Sequence, residues 1–286
     1  MKSAMTYIRQ MSFLLLIFSS AESQPYIDLI NVRYIGSPGN NSTSKEKNAT
    51  TLNYLSVSAT LPFQFKNKKD AIILTPFFER WESQVNSRDN YSPYHYGLVL
   101  PIAFLKSIPD SRWSILTMPI VRMNDAVIDT KSSWQFGGAL IASYKKNDQL
   151  TYKFGAYVNG EFFGLFLIPL VGIDWKINDR NNLFGVLPAS LTFEHKLNNH
   201  FYSGAVFRTF TNSYRDYDPN YWRVDENQLG IFLDSYLGSH FVLNLELGHS
   251  LFRKIRSGEK YEVNDNWNAE DGFYFKFGIA YRIRFR

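Results

Sequence analysis

The sequence predicts an all-β fold, a closed antiparallel up-and-down transmembrane β-barrel of about fourteen strands, with twelve as the alternative. Three observations carry that prediction. From Phe273 to Phe285 every second residue is apolar or aromatic, while the intervening positions are Tyr274, Lys276, Gly278, Ala280, Arg282 and Arg284. A strand sends successive side chains to opposite faces, so this stretch presents one apolar face and one polar or small face. Before it come many segments of the same kind, joined in turn by short polar turns and longer polar loops. Beyond the N-terminus no apolar run is long enough to form a membrane-spanning helix.

The elements follow in order. The N-terminus has a positive region (Lys2, Arg9), an apolar core from Phe13 to Phe18 and small residues at Ser19, Ser20, Ala21 and Ser23. This is the layout of a secretory signal peptide, residues 1–23, cleaved before Gln24. The barrel domain is then 24–286. Tyr26–Ile35 is a first strand, and the Gly/Asn/Ser-rich stretch after it is a loop, which contains sequons at Asn40, Asn41 and Asn48. Thr51–Phe65, Ala71–Trp81, Tyr94–Leu105, Ser111–Met123, Trp134–Tyr144, Leu150–Val158 and Phe163–Ile177 are the next strands. Asn159-Gly160 has the composition of a two-residue hairpin turn. Leu183–Leu197 alternates but contains Pro188. Read as one strand it gives an odd total; folded back at Pro188 it gives an even one, as a barrel with both termini on one side requires. Each half is then shorter than a usual spanning strand. Phe201–Asn212, Gln228–Leu237 and Phe241–Phe252 are strands, separated by a Tyr/Asp-rich loop from Ser213 to Asn227 and a tight Gly238-Ser239 turn. A charged loop, Arg253–Asp271, precedes the closing strand. Prolines at 76, 101, 119, 169 and 188 mark bulges or breaks, because proline cannot donate to a ladder.

Composition narrows the function classes. There is no cysteine, which excludes disulfides, a thiol nucleophile and a lipoprotein-type N-terminal cysteine. The net charge is +5, but the cations are scattered at alternate strand positions, which argues against nucleic acid as a partner. No metalloprotease, nucleophile-elbow, phosphate-loop or dinucleotide motif is present, and no cofactor is expected. Among the histidines, His249 is followed by Ser250. Adjacent strand residues point to opposite faces, so these two cannot form a catalytic pair with each other.

Charged residues opposite the apolar faces cannot lie against hydrocarbon without a cost of a few kcal/mol. Arg112, Arg122, Asp174, Lys176, Glu194, Arg208, Asp234, Glu246, Lys276, Arg282 and Arg284 are therefore expected in the lumen. They are read either as an electrostatic constriction or as ion pairs that hold the barrel's shape. Phe273, Phe275, Phe277, Ile279, Ile283 and Phe285 are expected to face lipid. Trp113, Trp134, Trp175, Tyr144 and Tyr281 are candidate interface anchors. Tyr214, Tyr217, Tyr221 and Trp222, near Arg215, Asp216 and Asp218, form a loop that would either stack on a ligand or pack over the mouth.

The export signal, the meander and the closing FYFKFGIAYRIRFR together resemble the outer-membrane β-barrel proteins of Gram-negative bacteria. The closing strand looks like the C-terminal signal read by the barrel-assembly machinery. That pattern usually ends on an aromatic residue, whereas here Phe285 is penultimate and Arg286 is last. Gly172–Arg180 and Val186-Leu187-Pro188 resemble segments of barrel families grouped as domains of unknown function. The resemblance implies the cell outer membrane as location, with membrane lipid and the assembly machinery as partners. The expected function is a non-enzymatic channel or structural wall protein for an unidentified small solute. The alternatives are a lipid-modifying outer-membrane enzyme and a soluble secreted β-protein that binds sugars.

Overall fold

The computed structural model describes residues 25–38, 50–67, 69–85, 93–126, 132–217, 219–267 and 271–285. The expected signal peptide, the sequon asparagines, Asp218 and Arg286 lie outside them. The described residues form fourteen wall strands: β1 (Tyr26–Ser37), β2 (Thr50–Ala59, continued by Leu61–Gln64), β3 (Ala71–Leu74, continued by Phe77–Val85), β4 (Tyr94–Ser107), β5 (Trp113–Asp125), β6 (Trp134–Asn147), β7 (Leu150–Glu161), β8 (Gly164–Lys176), β9 (Asn181–Leu187), β10 (Ser190–Lys196), β11 (Phe201–Arg215), β12 (Tyr221–Leu237), β13 (Phe241–Gly258) and β14 (Phe273–Arg284). Each pairs antiparallel with its neighbour in sequence. β14 pairs with β1 from Tyr26↔Arg284 to Gly36↔Phe275, with an irregularity between Asp28 and Ile30, and this closes the ring. In hydrocarbon an unpaired sheet edge has no water to bond, so closure is what lets strands span at all.

Of the five prolines expected to mark bulges or breaks, only Pro76 and Pro188 interrupt the wall; Pro101, Pro119 and Pro169 lie inside β4, β5 and β8 with no shift of register. β3 is interrupted at Thr75-Pro76 because Pro76 has no N–H to give. Its carbonyl still accepts from Ala59 N–H at 3.0 Å, and Thr75 N–H donates instead to Pro101 O at 3.1 Å. The stretch around Pro188 does fold back. β9 and β10 are seven residues each, joined through Pro188-Ala189 with a cis Leu187-Pro188 bond.

Several turns at one end of the barrel share a device. The side-chain carbonyl oxygens of Asn67, Asn147, Asn178 and Asn198 accept the backbone N–H two residues ahead, at 2.8–3.1 Å. Asparagine provides this local bond where the chain reverses and ladder partners run out. In the first of these turns Asp70 accepts from Lys106 Nζ at 2.6 Å and from Ser107 N–H at 2.9 Å. The hydrogen bond from Lys106, then that from Ser107 N–H and then that from Asn67, pull its carboxyl down to about 2. A carboxylate held below its unfolded value contributes above that value and stops contributing as pH falls through the folded one. A carboxyl NMR titration of Asp70 should therefore have its midpoint near 2. A midpoint in the ordinary aspartate range would mean that the Lys106 contact does not persist in solution.

Three loop assignments need correction. Asn159-Gly160 is not the hairpin turn: both residues lie inside β7, paired with Phe166 and Leu165, and the chain reverses at Phe162-Phe163. Asn159 is buried and donates to Glu161 at 2.6 Å, so tertiary contacts hold it in the ladder. The Tyr/Asp-rich loop shrinks to residues 216–220, because β11 and β12 extend into it. The charged loop before the last strand is shortened in the same way, since β13 runs on to Gly258 and a short strand, Asp265–Trp267, pairs with it.

The two faces of the wall differ as alternation requires. On β14, Phe273 is 73% exposed, and Phe275, Phe277 and Ile279 lie on the same outer surface. Tyr274, Ala280 and Arg282 are buried inside. Ile283 shares the outer parity yet is buried, and Phe285 is half-buried, at the end where Phe285 N–H bonds to Pro25 O. The outward apolar set continues around the ring, with Leu165, Leu247, Ile231 and Phe136 among its most exposed members. The soluble alternative required the odd residues of the last strand to be buried against a second sheet, and these exposures contradict it.

Candidate functional site: a cross-braced barrel interior

Glu246 anchors the first interior group. It is buried on β13 and accepts two bonds from Arg208 of β11, at 2.8 and 2.7 Å. Lys276 of β14 reaches it at 2.5 Å and the Tyr274 hydroxyl at 2.6 Å. β11 and β13 flank β12, so the Arg208 fork reaches over an intervening strand. A planar guanidinium matches a carboxylate in this two-bond geometry, where lysine acts as a point charge.

Arg282 of β14 forms the second group. It donates to Asp234 of β12 at 2.6 Å and to Asp28 of β1 at 2.5 Å, and its guanidinium lies 3.6 Å over the Tyr26 ring. Arg284 forms the third. It bonds Glu194 of β10 at 2.5 Å and lies 3.8 Å from the centre of the Tyr202 ring. β14 and β10 are not neighbours in the ring, so this pair spans the lumen near the short-turn end. Beside it Tyr26 of β1 meets Phe184 of β9 edge-on at 5.5 Å. These contacts draw opposite walls together. Between the first two groups lies a cavity of about 150 Å³ lined by Arg33, Arg208, Lys276 and Arg282 and by Asp28, Asp234 and Glu246.

At the loop end part of the wall folds inward. Arg215, the last residue of β11, bridges in parallel to Asp125 of β5, and Ala126 N–H bonds Arg215 O at 2.8 Å. β5 lies far from β11 around the ring, so the β11–β12 hairpin leans across the mouth. Its inner face brings Tyr214, Trp222 and Val224 onto Ile35, Leu52, Tyr54 and Trp81, and Ile255 and Tyr274 complete a buried apolar core. His95 is fully buried and stacks on Trp222 at 4.2 Å with the rings 9° apart. Polar contacts pin the hairpin below this core. Tyr214 donates to Glu79 at 2.6 Å, Ser213 Oγ donates to Glu161 at 2.6 Å, and Arg122 donates to Tyr157 at 2.7 Å and to Asn212 at 3.3 Å.

The charges expected in the lumen divide accordingly. Arg122, Asp174, Glu194, Arg208, Asp234, Glu246, Lys276, Arg282 and Arg284 lie inside, Asp174 paired with Lys153 of β7 at 2.5 Å. Arg112 does not. It sits exposed in the turn before β5 and donates to Lys146 O, because the strand starts at Trp113 and not at Ser111. Lys176 ends β8 at the rim, where it pairs with Asp179 of the following turn at 3.1 Å. Sequence reasoning missed Asp28, Arg33, Glu79, Glu161, Glu226 and Arg253. Glu79 and Glu161 follow the inward alternation of their strands. Glu226 and Arg253, 2.8 Å apart, lie in stretches read as loop, next to a register irregularity at Asp225/Asn227.

Of the two readings of the aromatic loop, stacking on a ligand or packing over the mouth, the structure has the second for most of its members. Tyr214, Tyr221 and Trp222 are buried, and only Tyr217 is well exposed among the described members. Trp113 packs with Tyr144 near the short-turn end, at 5.0 Å, and Trp175 is exposed towards the same end. Trp134 is exposed at the loop end, and Tyr281 packs on Phe241. His249 points outward against Phe273, while the Ser250 hydroxyl points inward and donates to Glu226 at 2.5 Å.

A family model described as a domain of unknown function, DUF6268, matches residues 19–282. No curated protein matches the chain. Among solved structures, an outer membrane channel from Pseudomonas putida F1 is 8% identical, with 93% of this chain and 98% of that one covered at a TM-score of 0.49. The NanC porin is 8% identical, covering 89% and 100% at 0.40, and the KdgM porin is 8% identical, covering 90% and 99% at 0.35. Likenesses this distant say nothing of solute or mechanism.

Proposed function

The chain belongs to the DUF6268 family, and we propose that it is an outer-membrane barrel of the channel class whose axial path is held shut by its own wall. The outward apolar belt is the surface such a barrel gives to lipid, and membrane lipid is its first partner. The closing strand is the segment that the barrel-assembly machinery would read. One observation carries the closed-channel reading. The seal at the loop end is an apolar core on the β11–β12 hairpin, built, among the described residues, from wall strands. Lifting that hairpin would expose a lumen already lined with both signs of charge, which suits passage of small polar solutes.

Single-channel recording in planar bilayers tests this. The wild type should pass little current, and the double variant Tyr214→Ala, Trp222→Ala should pass markedly more while keeping the heat-dependent gel mobility of a folded barrel. A steady porin-sized current from the wild type would show that the axis is not sealed. A folded double variant that stays silent would favour a structural wall protein.

A further inference from the structure

The two short strands leave a window in the wall. β9 and β10 reach only to Leu187 and Ser190, whereas β8 and β11 continue past them. β8 pairs with β9 from Val171 to Lys176, so its edge from Gly164 to Leu170 has no strand beside it among the described residues. Below, the gap ends at the β9–β10 tip, where Thr209 N–H bonds Ala189 O at 3.1 Å. Above, it ends where Phe162 N–H bonds Ser213 Oγ at 2.9 Å and Arg223 lies 3.7 Å over the Phe163 ring.

The chemistry of this edge suits hydrocarbon. Gly164 pairs with Glu161 across a two-residue turn, so by antiparallel alternation the even residues bond to β7 and the odd residues face the gap. Those are Leu165, Leu167 and Pro169; because proline brings no N–H, the edge leaves two N–H groups and three carbonyls without a ladder partner among the described residues. Leu165 and Leu167 are 70% and 63% exposed on the outer surface, which makes the window continuous with the apolar belt. The inner side of the edge strand is apolar too, beside the polar Tyr157, Asn159 and Glu161 of β7. Phe166 and Ile168 point inward yet stay half-exposed, unlike the buried Leu170 at the foot of the gap.

We propose that this window admits a hydrocarbon chain of a membrane amphiphile from the loop-side leaflet into the barrel, a lateral route that the axial seals leave free. The proposal rests on the membrane-embedded reading above. Because the chain has no cysteine, a single introduced thiol can carry a small fluorophore. Three variants, Ile168→Cys in the window, Leu245→Cys on the outer belt and Ala139→Cys on the inner wall, are labelled in vesicles of phospholipid brominated along the acyl chain. Leu245→Cys should lose fluorescence, Ile168→Cys should lose it comparably, and Ala139→Cys should keep it. If Leu245→Cys is quenched and Ile168→Cys is not, the window is shut to lipid or covered by another chain, and the proposal is overturned. Quenching at Ala139→Cys as well would mean that lipid fills the interior without a specific entry, which also overturns it. No quenching at Leu245→Cys would overturn the membrane reading itself.

Discussion

Phe277→Arg should prevent insertion of the barrel. Phe277 lies at mid-strand on the outer surface of β14, between Leu245 of β13 and Tyr34 of β1. A cation on the outer face near the bilayer midplane costs about 2–4 kcal/mol, a large part of the few kcal/mol that separate a folded domain from its unfolded chain. The neighbouring Lys276→Gln should assemble normally, because position 276 points inward and glutamine still offers a donor to Glu246. Folding into vesicles, followed by heat-dependent gel mobility, separates the two. Normal insertion of Phe277→Arg together with failure of Lys276→Gln would put the faces the other way round and shift the register by one residue.

Glu246→Ala should be the most damaging interior substitution. It removes one carboxylate and strands three donors at once: Arg208, Lys276 and Tyr274. Breaking a buried pair on one side leaves an uncompensated charge and costs about 3–5 kcal/mol. Replacing all the charges together, as Arg208→Met, Glu246→Leu, Lys276→Met, should recover much of that loss, since well-packed apolar groups can match a buried ion pair in stability. Urea unfolding in vesicles reads both effects. If the single substitution costs no more than an ordinary surface change, the cluster is solvated in the membrane, and the cross-lumen bracing does not hold the barrel's shape.

The sequence by itself determined the class of fold and most of the two faces, and left the strand number between fourteen and twelve, which the structure settles at fourteen. A strand's side-chain period is two and the lipid face tolerates no charge, so each segment carries its own orientation in its residue order. The fold-back at Pro188 was one of two ways to an even strand count, and the pairing of β9 with β10 decides for it. Local pattern did not carry contacts between segments far apart in sequence. Tyr214 and Trp222 have the composition of an exposed aromatic loop. Only the lean of β11 and β12 across the mouth, fixed by the Arg215–Asp125 bridge, turns them into a core. Asn159-Gly160 has the composition of a turn, yet the Asn159–Glu161 bond and the ladder to β8 keep it extended. The partners of the lumen charges were likewise beyond the sequence. Arg284 meets Glu194 because the curvature of a closed ring lets β14 reach across the lumen to β10, four strands away, and that curvature belongs to the assembled sheet and not to any one strand.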